Sequence, residues 1–488
     1  MRAATADAAA RAEDQSLSPV FVLVFLALII PIFFSVGSLH MSLSRLVLLI
    51  LTPILTYRLL AGQYGRVLPT DWLMLAFMFW FALSTLIKVP ESFVTFVGSN
   101  MLILLGGYLT ARAYVRGPRS FRQFTYLYGG VILVSLPFAI HEGLTDHMAI
   151  ARLLDQIPGI RSSPDVNYGL RRGIYRVQVV FTHPIHYGLF CTMAFGLVFV
   201  GLRDRLNAVL RWLWGIAIGA CCFLSVSSGP LMGIMAQVGL IVYGSVAARW
   251  MSRPWLWLLR GGIAGYVLLD LASSRPAYFV LAERIAFNPG TAYARKTLID
   301  FGTMRIKQNP LFGIGAGRSW GMPSWMTGSA DNQWLLIAVV YGVPAFAFLF
   351  GAYVLTLWKV GKAGHDADPE TRHLQLGWSI MTFGTMLSLA TVAVWSDIAT
   401  LAFVTFGCGV WFVYPRDPSA AAAATPEPAA RGMRYSRYAG EGRAAGAVAR
   451  TETTARAMSR TPQEAKRTGK ERRFARPAQH LTEKRVRT

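Results

Sequence analysis

Charge is scarce in this chain. Only 15% of its 488 residues are Asp, Glu, Lys or Arg, and 54% are hydrophobic, which excludes an ordinary soluble globular domain. Cysteine is scarcer still. Cys191, Cys221, Cys222 and Cys408 all fall in apolar runs, without disulfide or metal-ligand spacing. They are expected to be small packing residues and say nothing about redox compartment. No cleavable signal peptide is expected, because the first apolar run is flanked by Arg11, Glu13 and Asp14 and lacks a small-residue cleavage site. That run reads as a first anchor. No internal repeat divides the chain into matched halves, the pattern of many secondary transporters.

What the chain has is apolar length, with a mean hydropathy of +0.41. Runs of about 17–25 residues, enough to cross roughly 30 Å of hydrocarbon, recur along it. Twelve are expected: about 18–36, 43–60, 71–88, 93–111, 124–143, 180–201, 208–226, 229–248, 256–272, 331–357, 374–392 and 395–414. The implied architecture is an all-α polytopic membrane protein, with residues 1–17 as a cytoplasmic N-terminal tail and 18–414 as the membrane domain. Residues 415–488 hold 17 Lys and Arg against 7 Asp and Glu and almost no large apolar residues. They are expected to be a disordered, basic cytoplasmic tail whose partner is anionic lipid headgroups rather than nucleic acid.

With both termini cytoplasmic, four consecutive inner loops carry basic clusters, as the positive-inside rule requires: Arg112/Arg116/Arg119/Arg122, Arg203/Arg205/Arg211, Arg249/Arg253 and Lys359/Lys362/Arg372. Two outer loops are also basic. Residues 144–178 carry five arginines against three aspartates, and 270–330 carry seven Lys and Arg against three acids. Long loops translocate whatever their charge. An anionic ligand on that face is the alternative, since arginine suits bidentate phosphate or carboxylate recognition.

Several short patterns bear on that choice. Phe181-Thr182-His183-Pro184-Ile185-His186 leads into the sixth run after Arg172 and Arg176. Two histidines three apart lack further metal ligands at helical spacing, so a polar junction or cap is expected and no metal. Arg176 lies just above the bilayer, where a cation can hold a diphosphate. Asn288-Pro289-Gly290-Thr291 opens an amphipathic outer helix over Ala292–Lys307, with Arg295 in its first turn and Arg305 and Arg318 following. Arg295 is either a snorkelling surface residue or an anion ligand.

Gly313-Ile314-Gly315-Ala316-Gly317-Arg318 is neither a Walker nor a dinucleotide fingerprint. Its glycines allow backbone N–H groups to approach a phosphate, or simply make a tight loop. Asp331 opens the tenth run, with Asn332 next to it. Asp331 reads as its N-cap, or as a general base or orienting group for a hydroxyl at the membrane surface. His365-Asp366-Ala367-Asp368 has a metal-binding spacing but falls in a short inner loop and reads as solvated.

Taken in order, these segments resemble the bacterial O-antigen ligase and polysaccharide polymerase superfamily. The resemblance rests on an Arg-rich loop, Phe-Thr-His-Pro opening a span, Ser225-Val226-Ser227-Ser228-Gly229, Arg295 on a loop helix, Asn309-Pro310-Leu311-Phe312-Gly313-Ile314-Gly315-Ala316-Gly317, and a polar pair ten residues before Gly342. It covers residues 170–345 in motifs. It implies a glycosyltransferase C-like fold and a metal-independent, cofactor-free enzyme of the bacterial inner membrane. The active face would be periplasmic and the donor a saccharide on undecaprenyl diphosphate. Arg295 and Arg176, helped by Arg172, Arg305 and Arg318, would hold the diphosphate, and Asp331 would act on the acceptor. His183, Asn332, Gly315 and Gly317 would position acceptor or loop. Other envelope polysaccharide assembly proteins are expected partners.

The chain departs from the family in having Asp331-Asn332 for His-Asn, and Ser228-Gly229-Pro230 for Ser-Arg-Gly. A polymerase is the first expectation, an O-antigen ligase the alternative, and a polyprenyl-saccharide transporter a third reading. The third is disfavoured by few polar residues deep in spans (Asn100, Gln237 and Asp270).

Overall fold

The computed structural model describes residues 15–36, 39–163, 166, 168–171, 173–247, 249–252, 254–274, 289–322, 331–363 and 369–414. They fall in one unit, Met1–Thr425; the tail 415–488 and the 365–368 segment lie outside the described residues. The protein is a helical, multi-pass membrane protein. In chain order the described helices begin with α1 (Pro19–Ala27), α2 (Leu43–Leu60), α3 (Pro69–Lys88), α4 (Phe93–Tyr114) and α5 (Pro118–Thr145). Then come α6 (Ala149–Asp155), α7 (Pro184–Gly196), α8 (Ala208–Leu224), α9 (Ser228–Ala247) and α10 (Pro254–Ala272). The last are α11 (Pro289–Gln308), α12 (Gln333–Tyr341), α13 (Val343–Ala363), α14 (Pro369–Leu389) and α15 (Ser396–Gly407). Among the described residues eight segments are long and apolar enough to cross a membrane: α2, α3, α5, α7 with its continuation to Gly201, α9, α10, α13, and α15 with its continuation to Val413.

Of the twelve expected runs, 18–36, 93–111, 208–226 and 374–392 are not among these eight, and two of the twelve are broken within. The run 18–36 is not one helix. α1 ends at Ala27, Pro31 follows, and Phe33–Val36 (β1) turns back antiparallel on Leu39–Ser42 (β2). Proline cannot donate to a helix ladder, and the aromatic residues after it favour a strand. Phe33 also exchanges two 2.8 Å backbone bonds with Arg161, which ties this hairpin to the 144–178 segment. The run 331–357 is likewise split, into α12 and α13, by Gly342 at φ 90° and ψ 167°.

Burial divides the helices by role. The segment Pro184–Gly201 is almost wholly enclosed, and Ser396–Val413 nearly so, as helices apolar on every side should be when they form a core. α10 is apolar over most of its length, Arg260 and Asp270 excepted, and none of it is buried. α15 and α2 pack on α4, α9 on α14, α13 on α3, and α8 on α7. Lipid is as apolar as leucine, so close approach and polar contacts do the holding. At Gly377 of α14 a Cβ would lie 2.7 Å from the Gly201 nitrogen and 2.8 Å from the Gly196 carbonyl, so α14 crosses α7 backbone to backbone. Beside that crossing the buried Gln237 amide accepts from Gly196 N at 2.9 Å and donates to Thr192 O at 2.8 Å. The inserted side chain takes a ladder bond, and the chain continues as a π turn over Leu197–Gly201.

Polar groups within spans are therefore more numerous than expected. Asp71, Arg112, Glu142 and Gln237 are all buried. Arg112 does not sit in an inner loop: it is 1% exposed and its Nε donates to Asp71 Oδ1 at 3.2 Å. Its remaining N–H groups reach Tyr64 O at 3.1 Å, Arg66 O at 3.3 Å and the Tyr414 hydroxyl. Asp71 also accepts from Tyr108 at 2.5 Å and, as an N3 carboxylate, from Leu68 N at 2.8 Å. Every nitrogen and oxygen at the charged ends of this ion pair has a hydrogen-bond partner, the condition under which a buried pair is tolerated. The four cysteines are buried and free, as expected.

Candidate functional site

The N-termini of α7, α9, α12 and α15 meet at one end of the bundle, joined by short polar contacts. Pro184 starts α7, and His183 caps it by accepting from Ile185 N on Nδ1 at 3.0 Å. That bond fixes the tautomer with hydrogen on Nε2. Trp395, just before α15, packs edge-on against His186 at 4.2 Å and His183 at 5.7 Å between ring centroids. The segment before Trp395 is pinned to α12: Gln333 N donates to Val392 O at 3.1 Å, and Val394 N to the Gln333 side chain at 2.9 Å. Ser388, at the end of α14, donates to Gly229 O of α9 at 3.2 Å. Four helix N-termini at one place give a locally positive potential.

Two arginines enter this end. Arg295 on α11 donates from Nη2 to the Ser228 hydroxyl at 3.4 Å, while its buried Nε has no hydrogen-bond partner. Burial lowers the Arg295 pKa, and the charge of Asp331 acts against that, so the two groups interact electrostatically. Arg176 lies over the Tyr168 ring at 5.7 Å, and its buried Nε is also without a partner. Burial, then the charge of Arg171, pushes Arg176 down to about 10. Burial and the charges of Arg176 and Arg171 hold the neighbouring His183 down at about 4. His183 is therefore neutral near pH 7, a polar cap beside a cation.

Backbone strain gathers here. Of the four non-glycine residues with positive φ among the described residues, Val179, Val226 and Ser396 lie here, at 55°, 46° and 60°, and the fourth, Asp146, ends α5. The left-handed region is unfavourable for a non-glycine residue, most of all a β-branched one. Val179 stands between Arg176 and His183, Val226 two residues before Ser228, and Ser396 directly after Trp395. Val179 is held by Glu142, whose carboxylate accepts from Gln178 N at 2.7 Å and Val179 N at 2.8 Å. Strain of this kind persists where the surroundings over-determine it, commonly at working sites.

The remaining expected residues have other surroundings. Asp331 is not the N-cap of α12: Asn332 is, accepting from Leu335 N at 3.0 Å, which leaves Asp331 one residue outside the helix and facing the Arg295 field. Gly315 does not offer its N–H to a ligand. That N–H goes to Val340 O at 3.1 Å, next to Ile314 N on Val339 O at 2.9 Å. These carbonyls are orphans of the last turn of α12, so the glycine motif closes that helix end from outside. Gly317, at φ 73°, turns the chain just beyond. Arg318 donates to Lys88 O at 3.4 Å, and Arg305 to Trp320 O at 2.8 Å and Gln308 Oε1 at 3.1 Å. Both bind the loop to itself and to α3, away from the Arg295–Ser228 contact. Arg172 lies outside the described residues.

Glu142, Tyr168 and Trp395 went unrecognised as parts of this place, and Ser228 was noticed only as a member of a motif. Of the first three only Glu142 left a trace in the sequence, as an acid near the end of an apolar run; the others become related through tertiary contacts alone. Compared with known proteins, the chain matches no family model, and no curated protein matches it.

Proposed function

We propose that this chain is an integral-membrane glycosyltransferase that polymerises a surface polysaccharide from an undecaprenyl-diphosphate-linked donor on the periplasmic face of the bacterial inner membrane. One observation carries the reading: Arg295, distant in sequence from Ser228, donates to it where four helix N-termini converge, keeps a buried, unpartnered Nε, and lies within electrostatic reach of Asp331. Arg176 supplies a second such guanidinium at the same end. The motif order described above points to the same chemistry, and Arg295 reaches the serine adjacent to the position where the family's usual arginine is replaced by Gly229.

In this reading the acceptor hydroxyl oxygen forms a bond to the anomeric carbon as the bond from that carbon to the diphosphate oxygen breaks. The diphosphate leaves with one more negative charge, which Arg295, Arg176 and the helix N-termini stabilise. The hydroxyl proton passes toward Asp331, which orients the attacking oxygen. The buried Asp71–Arg112 pair is held in a full set of fixed bonds rather than left for a passing solute, which supports transfer over translocation.

The test is complementation of a deletion strain. Arg295→Ala and Asp331→Asn are each expected to lower long-chain polysaccharide at least about 100-fold while the protein still reaches the membrane. Parental chain lengths in both variants would refute the proposal. Single repeats joined to the lipid core identify a lost polymerase; full-length chains still on the lipid carrier identify a ligase instead.

A further inference from the structure

Behind the His183–Trp395 contact, a small cleft opens between the end of α1, the β1–β2 hairpin and the start of α15, lined by His186, Asp397, Thr182, Ser163, Phe181 and Ile29 among others. Its polar groups are unevenly satisfied. Asp397 Oδ1 accepts from the Ser44 hydroxyl at 2.7 Å, and Ser44 is in turn 2.8 Å from Ser42. Thr182 meets His186 Nδ1 at 3.3 Å. His186 is 1% exposed, yet its buried Nε2 has no hydrogen-bond partner. An unpaired buried donor or acceptor costs about 1–3 kcal/mol, so such a group calls for an occupant. The cleft admits little more than one water-sized group. Apolar walls, one carboxylate and one imidazole nitrogen match a single hydroxyl, which donates to Asp397 and pairs with His186 through its oxygen.

We infer that the Asp397–His186 cleft is a hydroxyl-binding subsite, taking one hydroxyl of the acceptor sugar and so orienting the acceptor in the proposed transfer. The owner of the hydroxyl rests on that proposed function; the cleft and its unpaired nitrogen do not. Ser396, strained at φ 60°, aims the first turn of α15 and Asp397 with it. His186 joins the subsite to the diphosphate end through its ring contact with Trp395, which also touches His183. Asp397 and His186 are positioning residues for the acceptor, and their loss is to be read on the acceptor alone.

Purified full-length protein, given lipid-linked oligosaccharide as donor, allows two measurements: transfer to an acceptor glycan and hydrolysis with water as acceptor. Asp397→Asn and His186→Phe are each expected to raise the acceptor KM about 10- to 100-fold, the effect of one hydrogen bond to a charged or buried group. Donor hydrolysis should stay within about twofold, because the diphosphate contacts are untouched. An unchanged acceptor KM in both variants overturns the inference, and so does a lowered melting temperature without any KM effect, which would mark a buried structural water. Should Asp397→Asn not fold, His186→Phe decides alone. If Arg295→Ala retains transfer, the function itself is wrong; if it abolishes transfer while the cleft variants behave as the parent, only this subsite is.

Discussion

Gly342→Ala should loosen the C-terminal end of α12, the helix whose opposite end carries Asn332 and Asp331. At φ 90° and ψ 167° the backbone is open to glycine alone, and an alanine there costs about 1–3 kcal/mol before any contact is counted. The new Cβ also overlaps the Leu311 carbonyl. That carbonyl has no room to retreat: it accepts from Trp80 Nε1 at 3.1 Å, Phe312 O accepts from Ser84 at 2.7 Å, and the Phe312 ring stacks on Trp80 at 5.3 Å. Relief must come from the clamp between loop and helix, in which Ile314 N, Gly315 N and Val343 N donate to Val339 O, Val340 O and Pro310 O. At about 1 kcal/mol for each of the three bonds weakened, the total reaches about 4–6 kcal/mol, in the range that only named structural defects produce. Thermal unfolding of the purified protein in detergent reads this as a fall on the order of 5–10 °C. Gly351→Ala is the control, since nothing lies within 4 Å of its Cβ position on α13. It should be neutral or stabilising by up to about 1 kcal/mol. Equal melting temperatures for the two variants would refute the clamp.

The neutral His183 predicts an acid limb in stability. Its folded pKa, about 4, lies below the usual value for the unfolded chain, so its contribution is complete above about pH 6.5 and is lost as pH falls toward 4. His183→Asn retains a side-chain N-cap but does not titrate, so its melting temperature should fall less steeply over that window; coincident curves would show that another group sets the limb. Breaking the buried pair from one side, with Asp71→Asn or Arg112→Met, should cost about 3–5 kcal/mol because a charge is left uncompensated. The double variant should lose less than the sum, and simple additivity in a double-mutant cycle would contradict the coupling read from the contacts.

The helices were readable because lipid imposes a length on every span, and that length shows as uninterrupted apolar sequence. Hydropathy failed where chain direction, not polarity, changes. Residues 18–36 are as apolar as a span requires, but Pro31 and the aromatic residues after it fold back into a hairpin. Residues 331–357 are apolar throughout, but only Gly342 and a loop some thirty residues upstream make the break. Arg112 misled for a related reason: a basic residue near a span end looks like a topological anchor until its acid, Asp71, forty-one positions away, is seen beside it.

The candidate site was readable in its charged members and not in its geometry. Arg176, Arg295 and Asp331 stood out as charges beside apolar runs, and Arg295 and Asp331 do come within electrostatic reach. The glycine motif invited a phosphate cradle because glycine permits close approach to any partner, and sequence does not distinguish a phosphate from the orphan carbonyls of a neighbouring helix. The hydrogen bonds of Ile314 and Gly315 decide for the carbonyls. The strain at Val179, Val226 and Ser396 had no sequence signal at all, since valine and serine are ordinary in such segments and φ is set by what surrounds them. Yet these three bracket the residues that matter: Arg176 and His183, Ser228, and Trp395 with Asp397. Each costs on the order of 1–3 kcal/mol to hold. A bundle that needed only to fit the membrane would relax them, so the rigid scaffold of Glu142, Gln333 and the clamped α12 has its clearest purpose in keeping that one end of the bundle in a fixed shape.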